Sequence, residues 1–241
     1  MKLMSKKIIT IIMVMFLNFP IFLSADEEND DKFINEYISA TDELADDAIS
    51  IVDGHFTIFY NNNKIKAAGP VKKSKKDGEW TIYYNSDNRT VMSKGIYRAD
   101  QKNGQWITYY PNGKTKVKAV YRNGDLNGQI FLYTEEGMPL AEVMYKSNMK
   151  NGVFRLYYLN GIPKEISMFK NDLRDGIQNL YHTNGKKLAI GQYKDGIKDG
   201  LWKYFYPTGR INTEGSYVKD KKTGRWKIYD ENGMVVDSED Y

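Results

Sequence analysis

The chain has 241 residues, of which 41% are apolar, with 20 glycines, 19 tyrosines, six prolines and no cysteine. The missing cysteine excludes disulfides, thiolate nucleophiles and cysteine metal sites, so any fold outside the cytoplasm rests on packing and hydrogen bonding alone. The formal charge of +4 hides a polarity: residues 26–53 hold eleven acidic residues against one lysine, net −10, and residues 54–241 hold 31 basic and 20 acidic residues, net +11.

Residues 1–25 read as a signal peptide. Lys2, Lys6 and Lys7 precede the apolar run from Ile8 to Leu23, small Ser24 and Ala25 follow, and an acidic stretch begins at Asp26. The expectation is export, to the periplasm, to the cell envelope or as a secreted protein. The rival reading is an uncleaved anchor, against which Asn18 and Pro20 interrupt the run. Without a cysteine at the junction, lipoprotein anchoring is excluded.

Residues 26–53 form an acidic leader. Phe33, Tyr37, Leu44, Ala48 and Val52 stand at spacings consistent with helical turns, so one reading is a short helix that covers the open sheet edge beside Gly54. The other is an acidic linker without structure, as its charge also permits.

From residue 54 onward the chain repeats. Gly54, Gly78, Gly104, Gly128, Gly152, Gly176, Gly200 and Gly224 recur every 24 residues, with one step of 26 between the second and third. Two residues after each glycine stand Phe56, Trp80, Trp106, Ile130, Phe154, Gln178, Trp202 and Trp226. Five residues after it come Phe59, Tyr83, Tyr109, Tyr133, Tyr157, Tyr181, Phe205 and Tyr229, all aromatic.

Nine residues after the glycine, Gly113, Gly137, Gly161, Gly185, Gly209 and Gly233 fill six blocks, and Asn63 and Asp87 the other two; these residue types tolerate positive φ and mark a hairpin turn. A second aromatic register follows at Tyr97, Tyr121, Tyr145, Phe169, Tyr193, Tyr217 and Tyr241, with Val71 in the first block. Each block is therefore a β-hairpin. The two extra residues of the long step fall within residues 85–95, at the turn or early in the second strand.

A lone hairpin is marginal in water, but hairpins laid side by side share ladders and bury aromatic rows. The expected fold is all-β: an elongated, single-layer antiparallel sheet of eight stacked hairpins over residues 54–241. Sixteen strands at about 4.8 Å spacing make a ribbon on the order of 75 Å long before twist.

The pattern Gly-x-Trp-x-x-Tyr-Tyr-Pro-Asn-Gly-Lys resembles the MORN-type repeat, in the bacterial variant of YwqK-like antitoxin-family proteins. Gly104–Lys114 and Gly200–Arg210 carry the resemblance best. It implies stacked hairpins used as binding or scaffolding surfaces for protein partners and, in some relatives, membrane lipids, or an antitoxin or immunity role. Blocks one and two depart from the turn motif.

No enzyme assembles from this sequence, and no cofactor or metal is implied. The only histidines are His55 and His182, the latter at the sixth position after its glycine, where five sibling blocks carry tyrosine; it reads as a substituted repeat residue. Lys72, Lys73, Lys75 and Lys76 cluster in the first connector and suit anionic surfaces, or simply solvent; export argues against nucleic acid.

Along a strand, positions two and four after the glycine face one side and position five the other. One reading is that both aromatic rows stack on one another down the ribbon and are structural. The other is that a single layer has no second layer to bury both, which makes Tyr83, Tyr109, Tyr133, Tyr157, Tyr181, Phe205 and Tyr229 the candidate ligand-facing stripe. A protein partner is the first expectation, and a cell-wall, polysaccharide or anionic lipid ligand the second; the sequence leaves the oligomeric state open.

Overall fold

A computed structural model describes residue 32, residues 34–38 and residues 53–241. The signal peptide at 1–25 lies outside the described residues, as do most of the leader and its Phe33, Leu44, Ala48 and Val52. Within 53–241 the expected ribbon is present: one open antiparallel sheet of twenty strands, four of which are two-residue stubs at the connectors. Each opening strand pairs with the strand that follows its turn, as Asp53–Phe59 does with Ile65–Lys72, and that strand pairs in turn with the next opening strand, Gly78–Tyr83. The pattern runs unbroken to Val235–Asp240, so the sheet is a meander without crossovers.

What fills the buried face follows from volume. Trp80, Trp106, Trp202 and Trp226 are each at most 4% exposed, and each indole lies on a glycine of the preceding hairpin. A Cβ added at Gly69, Gly95, Gly191 or Gly215 would come within 2.1–2.4 Å of the ring. Each indole Nε1–H donates to the carbonyl one residue beyond that glycine: Pro70, Ile96, Gln192 and Ser216, at 2.8–3.2 Å. Where the tryptophan is absent the glycine is absent too. Val143 stands opposite Phe154, Ala119 follows the paired Lys118–Phe131 and so meets Ile130, and Ser167 likewise meets Gln178. Large faces small all along the row.

Tyrosines of the second strands close on these rings edge-on. Tyr97 lies between Trp80 and Trp106, with centroids at 6.1 and 4.9 Å, and Tyr217 between Trp202 and Trp226 at 5.9 and 5.1 Å. Cations cap the same rings from the connectors. Lys76 is 5.9 Å from the Trp80 centroid and 5.2 Å from Tyr97; Lys102, Lys198 and Lys222 repeat the contact at 4.4–5.3 Å. Of the first connector's lysines, Lys76 is thus a buried packing residue, and Lys72, Lys73 and Lys75 are exposed.

Both margins of the ribbon are laced from one hairpin to the next. On the connector side, the amides of Lys76, Lys150 and Lys198 donate to Asp100, Asp172 and Asp220, each at 2.7 Å. On the turn side, Asn62 donates to Asn85, Asn160 to the Thr183 carbonyl and Asn184 to the Pro207 carbonyl, at 2.8–3.0 Å. The first turn, despite lacking the motif, closes like its siblings: Tyr60 N–H donates to the Lys64 carbonyl, as Tyr110 does to Lys114. In the second hairpin Tyr84 reaches Thr90 instead, which places both extra residues inside the turn.

The helix of the leader departs from expectation. Residues 32 and 34–38 are helical, yet they do not sit beside Gly54. Ile34 and Ile38 are buried in the cluster that holds Ile82, Val117 and Leu132. Tyr37 donates to the Tyr133 carbonyl at 3.1 Å and shares a short hydrogen bond with the Tyr110 hydroxyl, while Lys116 lies 4.8 Å from its ring. The segment therefore packs on the face of the third and fourth hairpins, because Ile34, Tyr37 and Ile38 form one apolar side that a sheet face can bury and a sheet edge cannot. The edge residues Asp53, Gly54 and His55 stay exposed.

The ring-on-glycine rule is testable at Gly191, whose backbone accepts any residue. Gly191→Ala should cost about 1–3 kcal/mol through overpacking. Combining it with Trp202→Ile, the pairing already present at Ala119 and Ile130, should recover part of that loss in urea denaturation. Simple addition of the two losses would show that ring and glycine do not share one space.

Candidate binding face

The face opposite the tryptophans is built by the odd positions of each strand. Tyr83, Tyr109, Tyr133, Tyr157, Tyr181, Phe205 and Tyr229 all lie on it, one in each hairpin after the first, each half-buried at the end of its opening strand. In every hairpin the pairing slips by one residue at this position, as between Thr108 and Tyr109 or Leu156 and Tyr157. A bulge there re-aims the side chain and ends the ladder, so the stripe follows one margin of the ribbon.

The stripe is not uniform. Lys94 lies 6.0 Å from the Tyr109 ring and Lys118 5.9 Å from that of Tyr133, whereas the Tyr157 hydroxyl donates to Glu142 at 2.8 Å and that of Tyr229 to Glu214 at 2.7 Å. Glu142 also receives Arg155 at 2.9 Å, and Glu214 receives Lys203 at 2.9 Å. The early hairpins therefore present rings with cations and the later ones rings with ion pairs.

Two depressions open on this face. One of about 340 Å³ is lined by Thr90, Val91, Lys94, Tyr109 and Gly113, directly after the two-residue insertion. The other, of about 250 Å³, is lined by Ile177, Ile190, Gly191, Gln192, Leu201 and Lys203. Around the second, Ile177 and Leu201 are 56% and 53% exposed, and Met144 and Met168 also stand exposed on this face. Sequence reasoning singled out the tyrosines and missed this aliphatic patch. Its signal was faint: positions that carry Glu79 and Gln105 early in the chain carry Val153, Ile177 and Leu201 later.

A second ladder also went unread. The residue after each stripe position, at Tyr60, Tyr84, Tyr110, Tyr158 and Tyr206, donates its hydroxyl to the carbonyl of the next hairpin's stripe residue at 2.7–2.8 Å. His182 takes the same place, its Nε2 lying 3.0 Å from the Phe205 carbonyl. It is a repeat residue performing the repeat's task, in keeping with its register.

The electrostatics follow the contacts. The Tyr157 hydroxyl is pushed up to about 12, first by burial and then by its hydrogen bond to Glu142 and that group's charge. Glu214 is held below the usual carboxylate range, first by the Tyr229 hydroxyl and then by Lys203.

A ribbon of stacked hairpins with a repeated aromatic core is a repeat protein in which each unit contacts only its neighbours. The family model described as MORN repeat variant matches residues 102–123, 150–171, 174–195, 198–219 and 222–241, so five segments of the chain are similar to that repeat. No curated protein matches the chain. Among solved structures, a chain of the TcdB2-TccC3-Cdc42 crystal structure aligns at 9% identity, over 76% of this chain and 13% of that one, with a TM-score of 0.19. Among the described residues, no helix is long and apolar enough to cross a membrane.

Because the Tyr157 hydroxyl is raised in the folded state, its contribution is complete below the ordinary tyrosine value of about 10 and is lost as pH climbs through about 12. A phenolate-absorbance difference titration against Tyr157→Phe should place this ionisation near the upper end of that window. Glu142→Gln should move it down part of the way, since burial remains. An ordinary value in the native protein would remove Glu142 as its partner.

Proposed function

We propose that the protein is exported and non-enzymatic, and that its sheet serves as a binding or scaffolding surface for a protein partner. The observation that carries this reading is the face opposite the tryptophan core. It offers a row of half-buried rings from Tyr83 to Tyr229 beside exposed Met144, Met168, Ile177 and Leu201. Aromatic anchors beside aliphatic patches, with ion pairs between them, are the composition of interface cores and their rims. The MORN repeats and the amino-terminal signal pattern support the reading from sequence.

A second reading has its own observation. The depression over Tyr109, with Lys94, Thr90 and the open backbone of Gly113, presents a ring, a cation and a hydroxyl together, as a cell-envelope saccharide or an anionic head group would use. Co-sedimentation with purified cell wall and with anionic vesicles separates this ligand class from a protein.

Replacing Tyr133 and Tyr157 together by serine should abolish capture of the partner in crosslinking pull-downs of the exported chain while the far-ultraviolet spectrum stays β-like. Undiminished capture would remove the stripe from the interface, and loss of the β spectrum would make these rings structural.

A further inference from the structure

One hairpin junction replaces the apolar packing pair of all the others with a polar one. At the joint between the fifth and sixth hairpins, Gln178 stands where Trp80, Trp106, Trp202 and Trp226 stand elsewhere, Ser167 replaces the facing glycine, and Glu165 occupies a place that Ala141 and Ala189 fill in adjoining hairpins. All three are buried. Glu165 accepts hydrogen bonds from Ser167 Oγ at 2.5 Å, Gln178 Nε2 at 3.0 Å and Arg174 Nε and Nη2 at 3.2 and 3.1 Å. The Arg174 guanidinium lies between two ring sets, 5.1 Å from Phe169 and 5.9 Å from Tyr193.

The apolar core divides at this place. One cluster runs from Ile34 and Ala67 to Phe154, Leu156 and Phe169; a second holds Tyr193, Trp202 and Trp226 with Tyr204 and Tyr217 against it. The backbone register does not set this joint apart: Glu165 pairs with Leu180 and Ile166 with Asn179, just as Ala189 pairs with Tyr204 and Ile190 with Lys203 at the next one, so the difference lies in the side chains. In a linear array, cooperativity passes from unit to unit through the interface between neighbours. An ion pair withdrawn from water returns little net stability, because desolvation consumes most of its attraction. A ring packed on a glycine carries no such penalty.

We propose that the Glu165–Ser167–Arg174–Gln178 cluster is a seam that divides the ribbon into two cooperatively unfolding units, residues 53–170 and 176–241. The second, with fewer buried rings and without the helical cover of Ile34 and Ile38, opens first. The carboxyl-terminal hairpins can then detach while the helix-covered half stays folded, which gives the binding face a segment able to open without loss of the remainder.

Hydrogen exchange with mass spectrometry, on the full chain in rising urea, tests this directly. Peptides from 200–229 should lose protection at a lower urea concentration than peptides from 78–109. In Glu165→Ala/Ser167→Gly/Gln178→Trp, which installs the packing of the neighbouring hairpins, the two losses should merge at the higher concentration. Coincident loss in the unsubstituted protein would overturn the seam, as would an unchanged gap in the triple variant. If the triple variant fails to fold, Arg174→Met decides: with Glu165 left buried without its cation, the 200–229 peptides should open earlier while 78–109 hold. An equal shift of both, or no shift, would overturn the proposal.

Discussion

The structure depends on an indole lying flat on a place where a side chain is missing. A single-layer sheet has no second layer to press against, so its core must be made from neighbours along the same face. Trp202 above Gly191 and Trp226 above Gly215 achieve this by letting a ring reach one hairpin backwards until it touches backbone. The ring then spans the joint that the backbone ladder alone would leave weak. The substitution pairs Ala119 with Ile130 and Val143 with Phe154 keep a smaller residue under a larger one without keeping the residue types.

Polar contacts finish what the rings begin. Lysines from the connectors lie over the same indoles and tyrosines, their ammonium groups at the rim and their stems on the core. Asparagines and aspartates lace the two margins, and the tyrosine ladder ties each turn to the next strand. These bonds join hairpin to hairpin and not strand to strand within a hairpin. Stability in such a ribbon is therefore a property of the junctions, and the junction at Glu165 is chemically unlike its siblings.

The two faces of the ribbon are built differently. The indole core lies on one side, where the helical residues 34–38 add cover over the third and fourth hairpins. The opposite face carries the tyrosine stripe, the aliphatic patch and two shallow depressions, and it differs from one end to the other. Rings with lysines give way to rings with ion pairs, and exposed isoleucine and leucine stand between the ion-paired Tyr157 and Tyr229. A repeated scaffold thus carries a different chemistry in successive hairpins.

By itself the sequence determined the period, the turn positions, the alternation of faces and the stripe, because strand periodicity and turn chemistry are local. It also placed His182 among its tyrosine siblings, since register alone identifies it. Only the tertiary structure decided where the leader's helix sits, because Ile34, Tyr37 and Ile38 specify an apolar side but not the surface that receives it. The same holds for the glycine beneath each indole and for the cluster around Glu165. Gly191 and Trp202, or Glu165 and Arg174, are ordinary residues in one dimension, and their meaning arises when strand pairing brings side chains of successive hairpins into contact.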